Sequence, residues 1–176
     1  MSKSRFELLM GCLATRRVAS QEQLYTLAYQ PQGLSLEQLA VDLMDSNEVT
    51  KVLIEDKEYY CPNLIGGMKI NRRITHPRSS QEATIFAAIS GVAAYVMQEG
   101  AEWLEFPRKQ FDKSIPRHVR GYTVGQKTTL VVADPTFDMA SRLSKLAPLL
   151  VLYDQCKDSL NWNIENVQVM SAQSFL

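Results

Sequence analysis

The sequence predicts a mixed α/β chain, with three short helices and a β-hairpin at the N-terminus and a small α/β domain with a partly parallel sheet behind them. Two observations carry this. Apolar residues recur at helical spacing through the first 45 residues and then give way to the strand-like run Val49–Ile54. Further on, two apolar runs, Thr128–Ala133 and Leu149–Tyr153, flank a helical pattern, which is the signature of a β-α-β unit. With 176 residues, 45% of them apolar, the chain has material for one large domain or two small ones. The expected division is residues 1–62, a basic linker or arm over 63–78, and an α/β domain over 79–176.

In the first helix Phe6, Leu9, Met10 and Leu13 form an apolar stripe, and Arg16 and Arg17 suit its negative C-terminal end. Ser20 with Gln23 makes a capping box for a second helix bearing Leu24, Leu27 and Ala28, which Pro31 and Gly33 end. Ser35 with Gln38 opens a third, whose buried face is expected to be Leu36, Leu39, Ala40 and Leu43. Val49–Ile54, the polar turn Glu55-Asp56-Lys57 and Glu58–Cys61 then read as a hairpin.

Three helices followed by a hairpin is the element order of a winged helix-turn-helix. The run Leu13-Ala14-Thr15-Arg16-Arg17-Val18-Ala19-Ser20-Gln21-Glu22-Gln23-Leu24 resembles the winged-helix modules of bacterial regulators and of plasmid mobilisation or replication-relaxation proteins. In those a helix ending in a basic pair is followed by Val-Ala-Ser/Thr-x-x-Gln-Leu. The resemblance covers about 60 residues and implies that the third helix enters the major groove of DNA. The residues which that helix leaves for solvent are expected to be Glu37, Gln38, Val41, Asp42 and Asp45, with three acids and no Lys or Arg. A phosphate-lined groove repels such a face. Either DNA is held through cations elsewhere, or Glu37, Asp42 and Asp45 dock a basic protein partner.

In the second part, Pro62 to Pro77 reads as a linker around Gly66-Gly67, with Met68–Ile74 as an edge strand or an extended basic arm. Ser79 with Glu82 makes a third capping box, before a helix through Val96 that ends at Gly100 and is apolar enough to be packed on more than one side. Glu102–Phe106 alternates like a half-buried strand, Lys127–Ala133 and Leu149–Tyr153 read as parallel neighbours, and Trp162, Ile164, Val167 and Val169 as an added edge. Pro135 is expected to start the intervening helix, which carries Phe137, Ala140, Leu143 and Leu146. About four strands are expected.

The 19 basic and 19 acidic side chains cancel, but unevenly along the chain: residues 1–62 carry six basic and nine acidic, 63–126 nine and five, 127–176 four and five. The candidate phosphate contacts are Arg16, Arg17, Lys51, Lys69, Arg72, Arg73, Arg78, Arg108, Lys109, Lys113, Arg117 and Arg120. The segment Arg108–Arg120, which interleaves cations with Phe111, Ile115 and Val119, reads equally as a phosphate-gripping loop or a solvated turn.

Asp134 and Asp154 follow two presumed parallel strands, where open α/β sheets bind ligands, and with Glu105 or Glu82 they form the oxygen set of a metal-dependent nuclease. An acid-x-lysine signature is missing, so a degenerate nuclease-like scaffold is preferred to an active enzyme. Asp134 also suits a helix N-cap before Pro135. His76 and His118 lack a triad or metal spacing, no phosphate-cradling glycine motif occurs, and Cys12, Cys61 and Cys156 read as buried small hydrophobes. No cofactor or metal is expected. There is no membrane span and no leader-like apolar run, so the expected setting is the bacterial cytoplasm. Three functions stay open: a non-enzymatic DNA-binding accessory or regulatory protein of a bacterium or mobile element such as a plasmid, with double-stranded DNA as partner; a winged-helix adaptor in a nucleoprotein complex; and a metal-dependent nuclease. A homodimer is compatible with each.

Overall fold

The computed structural model describes residues 2–69, 77–105, 107, 111, 115–153 and 164–176. Helix α1 (Lys3–Arg16) buries Leu9, Met10 and Leu13, as its spacing predicts. Helix α2 (Gln21–Leu24) starts at the complete Ser20/Gln23 capping box and runs on into a π-helical stretch, Tyr25–Tyr29, and a 3₁₀ turn, Gln30–Gln32. Gly33 ends that turn at φ 67°, a conformation in which a Cβ is costly. Helix α3 (Leu36–Asp45) opens at the second complete box, Ser35/Gln38. Strands β1 (Val49–Ile54) and β2 (Lys57–Pro62) then pair antiparallel. Glu55 and Asp56 both sit at positive φ, as a two-residue hairpin loop of matching twist requires.

Helix α3 corrects two expectations. Leu36, assigned to the buried face, is exposed, whereas Asp42, assigned to the solvent face, is fully buried. The carboxylate is tolerated because it is partnered: Tyr29 donates its hydroxyl proton to Oδ2 at 2.9 Å, and Arg5 lies 3.5 Å from Oδ1. Burial and this bond push the Tyr29 hydroxyl well above its ordinary pKa.

Residues 63–69 are also corrected, from linker to helix α4 (Leu64–Lys69), with Gly66 and Gly67 on its buried side. A Cβ at Gly66 would stand 2.6 Å from the Glu48 carbonyl oxygen and 2.5 Å from the Met10 methyl, so only glycine allows the helix to seat there. Lys69 pairs with Glu48 and reaches over the Phe6 ring. The rest of the presumed arm, residues 70–76, with Arg72, Arg73 and His76, lies outside the described residues.

Helix α5 (Ser80–Gln98) is capped by Ser79, but the Glu82 carboxylate accepts from the Arg78 N–H, not from Ser79, so this capping box is half formed. Behind it stands a five-stranded sheet in the order β3-β4-β5-β6-β7: β3 (Glu102–Leu104), β4 (Arg120–Val124), β5 (Lys127–Ala133), β6 (Leu149–Tyr153) and β7 (Val167–Ser171). The β3/β4 and β4/β5 pairs are antiparallel, and β5/β6 and β6/β7 are parallel. Five strands replace the expected four because Arg120–Val124, a polar segment with a glycine, is itself a strand. Helix α6 (Phe137–Ser144) joins β5 to β6; its cap is Thr136, not Asp134, and Leu146 lies beyond its end, exposed.

The alternation along β5 and β6 sorts the core into two layers. Val131, Leu150 and Leu152 face α5, while Leu130, Val132, Leu149 and Val151 face the side of α6. Burial on both faces explains why these strands are continuously apolar. Helix α5 is itself a middle layer. Ala83 and Ala87 pack with Val18, Ile54, Tyr59 and Cys61 of the N-terminal part, and Ser90 donates a buried 2.6 Å hydrogen bond to the Val18 carbonyl. Burial holds the Cys12 and Cys61 thiols at a pKa of about 11, so both are protonated at neutral pH and behave as small apolar groups. Cys156 lies outside the described residues, and among those described no helix is long and apolar enough to cross a membrane.

The C-terminal 3₁₀ turn, Ala172–Phe175, closes onto α5 where Gly91 leaves room. A Cβ there would stand 1.9 Å from the Phe175 carbonyl oxygen, which also accepts from Gln23 Nε2 at 3.2 Å. Backbone meets backbone, so no side-chain rotation relieves the clash. Gly91→Ala is therefore expected to destabilise the fold by about 1–3 kcal/mol, the usual cost of overpacking, read as a lower urea midpoint with an unchanged slope.

Candidate functional site

Where the end of α1, the start of β4 and the flank of α5 meet, a cleft of about 310 Å³ opens. Ile85, Phe86 and Ile89 of α5 make an apolar floor, and Arg16, Arg17, Arg117, His118 and Arg120 line the rest with Thr15 and Ala133. Thus cations from two distant segments, one ending a helix and one entering a strand, converge on one place.

Two of the arginines that line the cleft share a single carboxylate. Glu105, just beyond β3, pairs with Arg16 and accepts a 2.8 Å hydrogen bond from the Trp103 indole N–H on the same oxygen; its other oxygen lies 3.0 Å from Arg120 Nε. The three charged side chains are 11–23% exposed. Arg16 also lies over the Trp103 ring, 5.1 Å from its centroid. Burial lowers the pKa of both guanidiniums and Glu105 counteracts this, but neither comes near deprotonation at neutral pH.

Arg16 and Arg120 therefore share one carboxylate, which cancels half of their joint charge, and both still line the cleft. Arg120 also donates from Nη1 to the Arg117 carbonyl at 2.8 Å, which shapes the turn that presents Arg117 and His118. Arg117 is exposed. Burial, then Arg120, lower the His118 pKa below its ordinary value, leaving the ring neutral at pH 7.

Arg17 differs from the rest. Its guanidinium lies over the Phe86 ring, 4.7 Å from the centroid, and no acid pairs with it among the described residues. Its backbone, at φ 69° and ψ −46°, lies in the γ-turn region, which strains any residue with a Cβ by roughly 1–3 kcal/mol. At the end of a helix glycine would relieve that strain.

The other predicted cations scatter. Lys51 pairs with Glu58 at 2.8 Å on the hairpin, Lys69 with Glu48, and Arg78 is exposed at the start of α5. Arg108, Lys109 and Lys113 lie outside the described residues, so the basic segment is seen only from Ile115 onward, with Phe111. Ile115 and Val119 are buried. Of the acids proposed for a metal, Glu105 is occupied by the two arginines, Asp154 lies outside the described residues, and no metal-holding cluster occurs among those described. On α3, Glu37 and Asp45 are exposed without Asp42, beside exposed Leu36, Val41 and Met44. Sequence reasoning missed the floor residues Ile85, Phe86 and Ile89 as site components; a helix apolar on all sides was the one signal that could have marked them.

Removing the central charge while keeping its shape tests this geometry. Glu105→Gln leaves two largely buried guanidiniums facing each other without an anion, and is expected to cost about 3 kcal/mol by denaturant unfolding, with partial recovery when Arg120→Met is added. No family model matches the chain and no curated protein matches it either, so the reading of the cleft rests on its own geometry.

Proposed function

We propose that the protein is a non-enzymatic DNA-binding accessory or regulatory protein, of the kind that bacteria and mobile elements such as plasmids carry. Residues 2–62 form its winged helix-turn-helix, and the α/β part behind them completes a phosphate-gripping cleft. The observation that carries this reading is the convergence of Arg17, Arg117, His118 and Arg120 on one cleft. With Arg16 counted and Glu105 subtracted, the net charge there is about +3, enough to draw a polyanion without base-specific contacts.

A specific observation favours a second, protein-docking role on another surface. Helix α4 exposes Leu64, Ile65 and Met68 while burying its glycines, and α3 exposes Val41 and Met44, the latter at 86%. Apolar side chains with the acids Glu37 and Asp45 suit a protein surface better than a phosphate backbone. Both roles fit a protein that acts inside a nucleoprotein complex.

Phosphate gripping requires salt dependence. Fluorescence anisotropy of a labelled duplex across a salt series is expected to give a steep negative log–log slope, and Arg117→Ala is expected to make that slope shallower by about one. Flat dependence, or no binding at low salt, would remove the DNA reading.

His118 supplies a pH test with a definite sign. Its pKa is lowered in the free protein by burial and Arg120, and a phosphate in the cleft raises it, so binding takes up a proton. Affinity is therefore expected to increase as pH falls from 8 to about 6, and His118→Gln to abolish the increase. The effect on folding has the opposite sign: a lowered histidine pKa contributes stability above the ordinary value that is lost on acidification, so the test is made on binding.

A further inference from the structure

A cleft with an apolar floor offers more than a phosphate grip needs. At about 310 Å³ it lies at the small end of ligand pockets, and bases stacked and paired within a duplex cannot enter such a space. Arg17 presents a planar cation resting on Phe86, at the border of that space, on a backbone that holds it there against strain. Guanidinium planes are stacking platforms for unpaired bases. Arg117, exposed, and Arg120 line the same cleft and supply the cations that the phosphate of a stacked nucleotide needs.

We propose that this cleft receives one unpaired nucleotide, with its base on the Arg17–Phe86 tier and its phosphate against Arg117 and Arg120. The proposal rests on the phosphate-binding reading above and goes beyond it: the preferred ligand is a strand end or a single-stranded stretch, and an uninterrupted duplex engages only the cationic rim.

The test compares three probes at one salt concentration, a labelled single strand, the blunt duplex of the same sequence, and free dAMP, against wild type, Arg17→Lys and Arg17→Gly. Lysine keeps the charge without the plane. Glycine removes the side chain and relieves the backbone, so its melting temperature is expected to equal or exceed that of wild type, which separates loss of binding from loss of fold. The expected result is a strand preference over blunt duplex of about tenfold in wild type, of the size stacking of a single base gives, falling to near parity in both variants. Duplex binding with a steep salt slope and no strand preference would overturn the unpaired-nucleotide proposal and leave the DNA reading intact. A strand preference retained by Arg17→Lys would also overturn it, as would micromolar binding of free dAMP without strand preference, which would make the cleft a mononucleotide site. Absence of binding to every probe would overturn both readings together.

Discussion

Glu105 is shared by Arg16, Arg120 and the Trp103 indole, and that sharing adds a charged link between the two halves of the chain to the packing of α5 against Val18, Ile54, Tyr59 and Cys61. Desolvating two guanidiniums is costly, and one carboxylate between them offsets the cost only if all three are held in register. Register comes from three directions: the last turn of α1, the end of β3, and the first residue of β4. The carboxylate thereby ties the end of α1 to the start of β4, beside the Arg17–Phe86 contact and the turn that carries Arg117 and His118. It also leaves a charge uncancelled, because one acid faces two bases. The same constraint therefore orders the cleft and keeps it positive.

Elements whose burial is uniform along one face were legible in the sequence. The capping boxes at Ser20 and Ser35 fall where the chain enters a helix, and β5 and β6 announce themselves because both faces are covered, by α5 and on the side of α6. What was not legible depends on partners distant in sequence. Strand β4 has no apolar run; it exists because β3 and β5 pair with it on either side, and Gly121 carries no side chain where a Cβ would stand 2.9 Å from the Thr129 carbonyl oxygen. The glycines of α4 read as a flexible linker, yet Gly66 is there for close approach to α1 and Glu48.

The site was less legible than the fold for the same reason. A run of cations on paper does not say which are already paired, and Arg16, Lys51 and Lys69 each meet an acid far along the chain or across a hairpin. Asp42 shows the converse. Its place beside Leu39 and Leu43 on the helical wheel fits burial, but a lone carboxylate normally argues for solvent, and only Tyr29 and Arg5 reverse that balance. The one local clue to Arg17 was its position after a helix, where the chain needs a positive φ and glycine is usual.

The distribution of charge bears on how a winged helix would meet DNA here. On the proposed winged-helix reading α3 would be the helix that enters the major groove, but its outward side carries Glu37 and Asp45 with Val41 and Met44, and no cation. Inserting it would bring two carboxylates toward the phosphates and wet apolar side chains, without a single compensating pair. The cleft at the end of α1 has the opposite character, with net positive charge, donors and an apolar floor. On the proposed reading, the nucleic acid lies against the junction between the two parts of the chain, and α3, with α4 beside the hairpin, is left for a protein. On that same reading the chain would bridge two partners, a division of surfaces that follows from where the uncompensated charges lie.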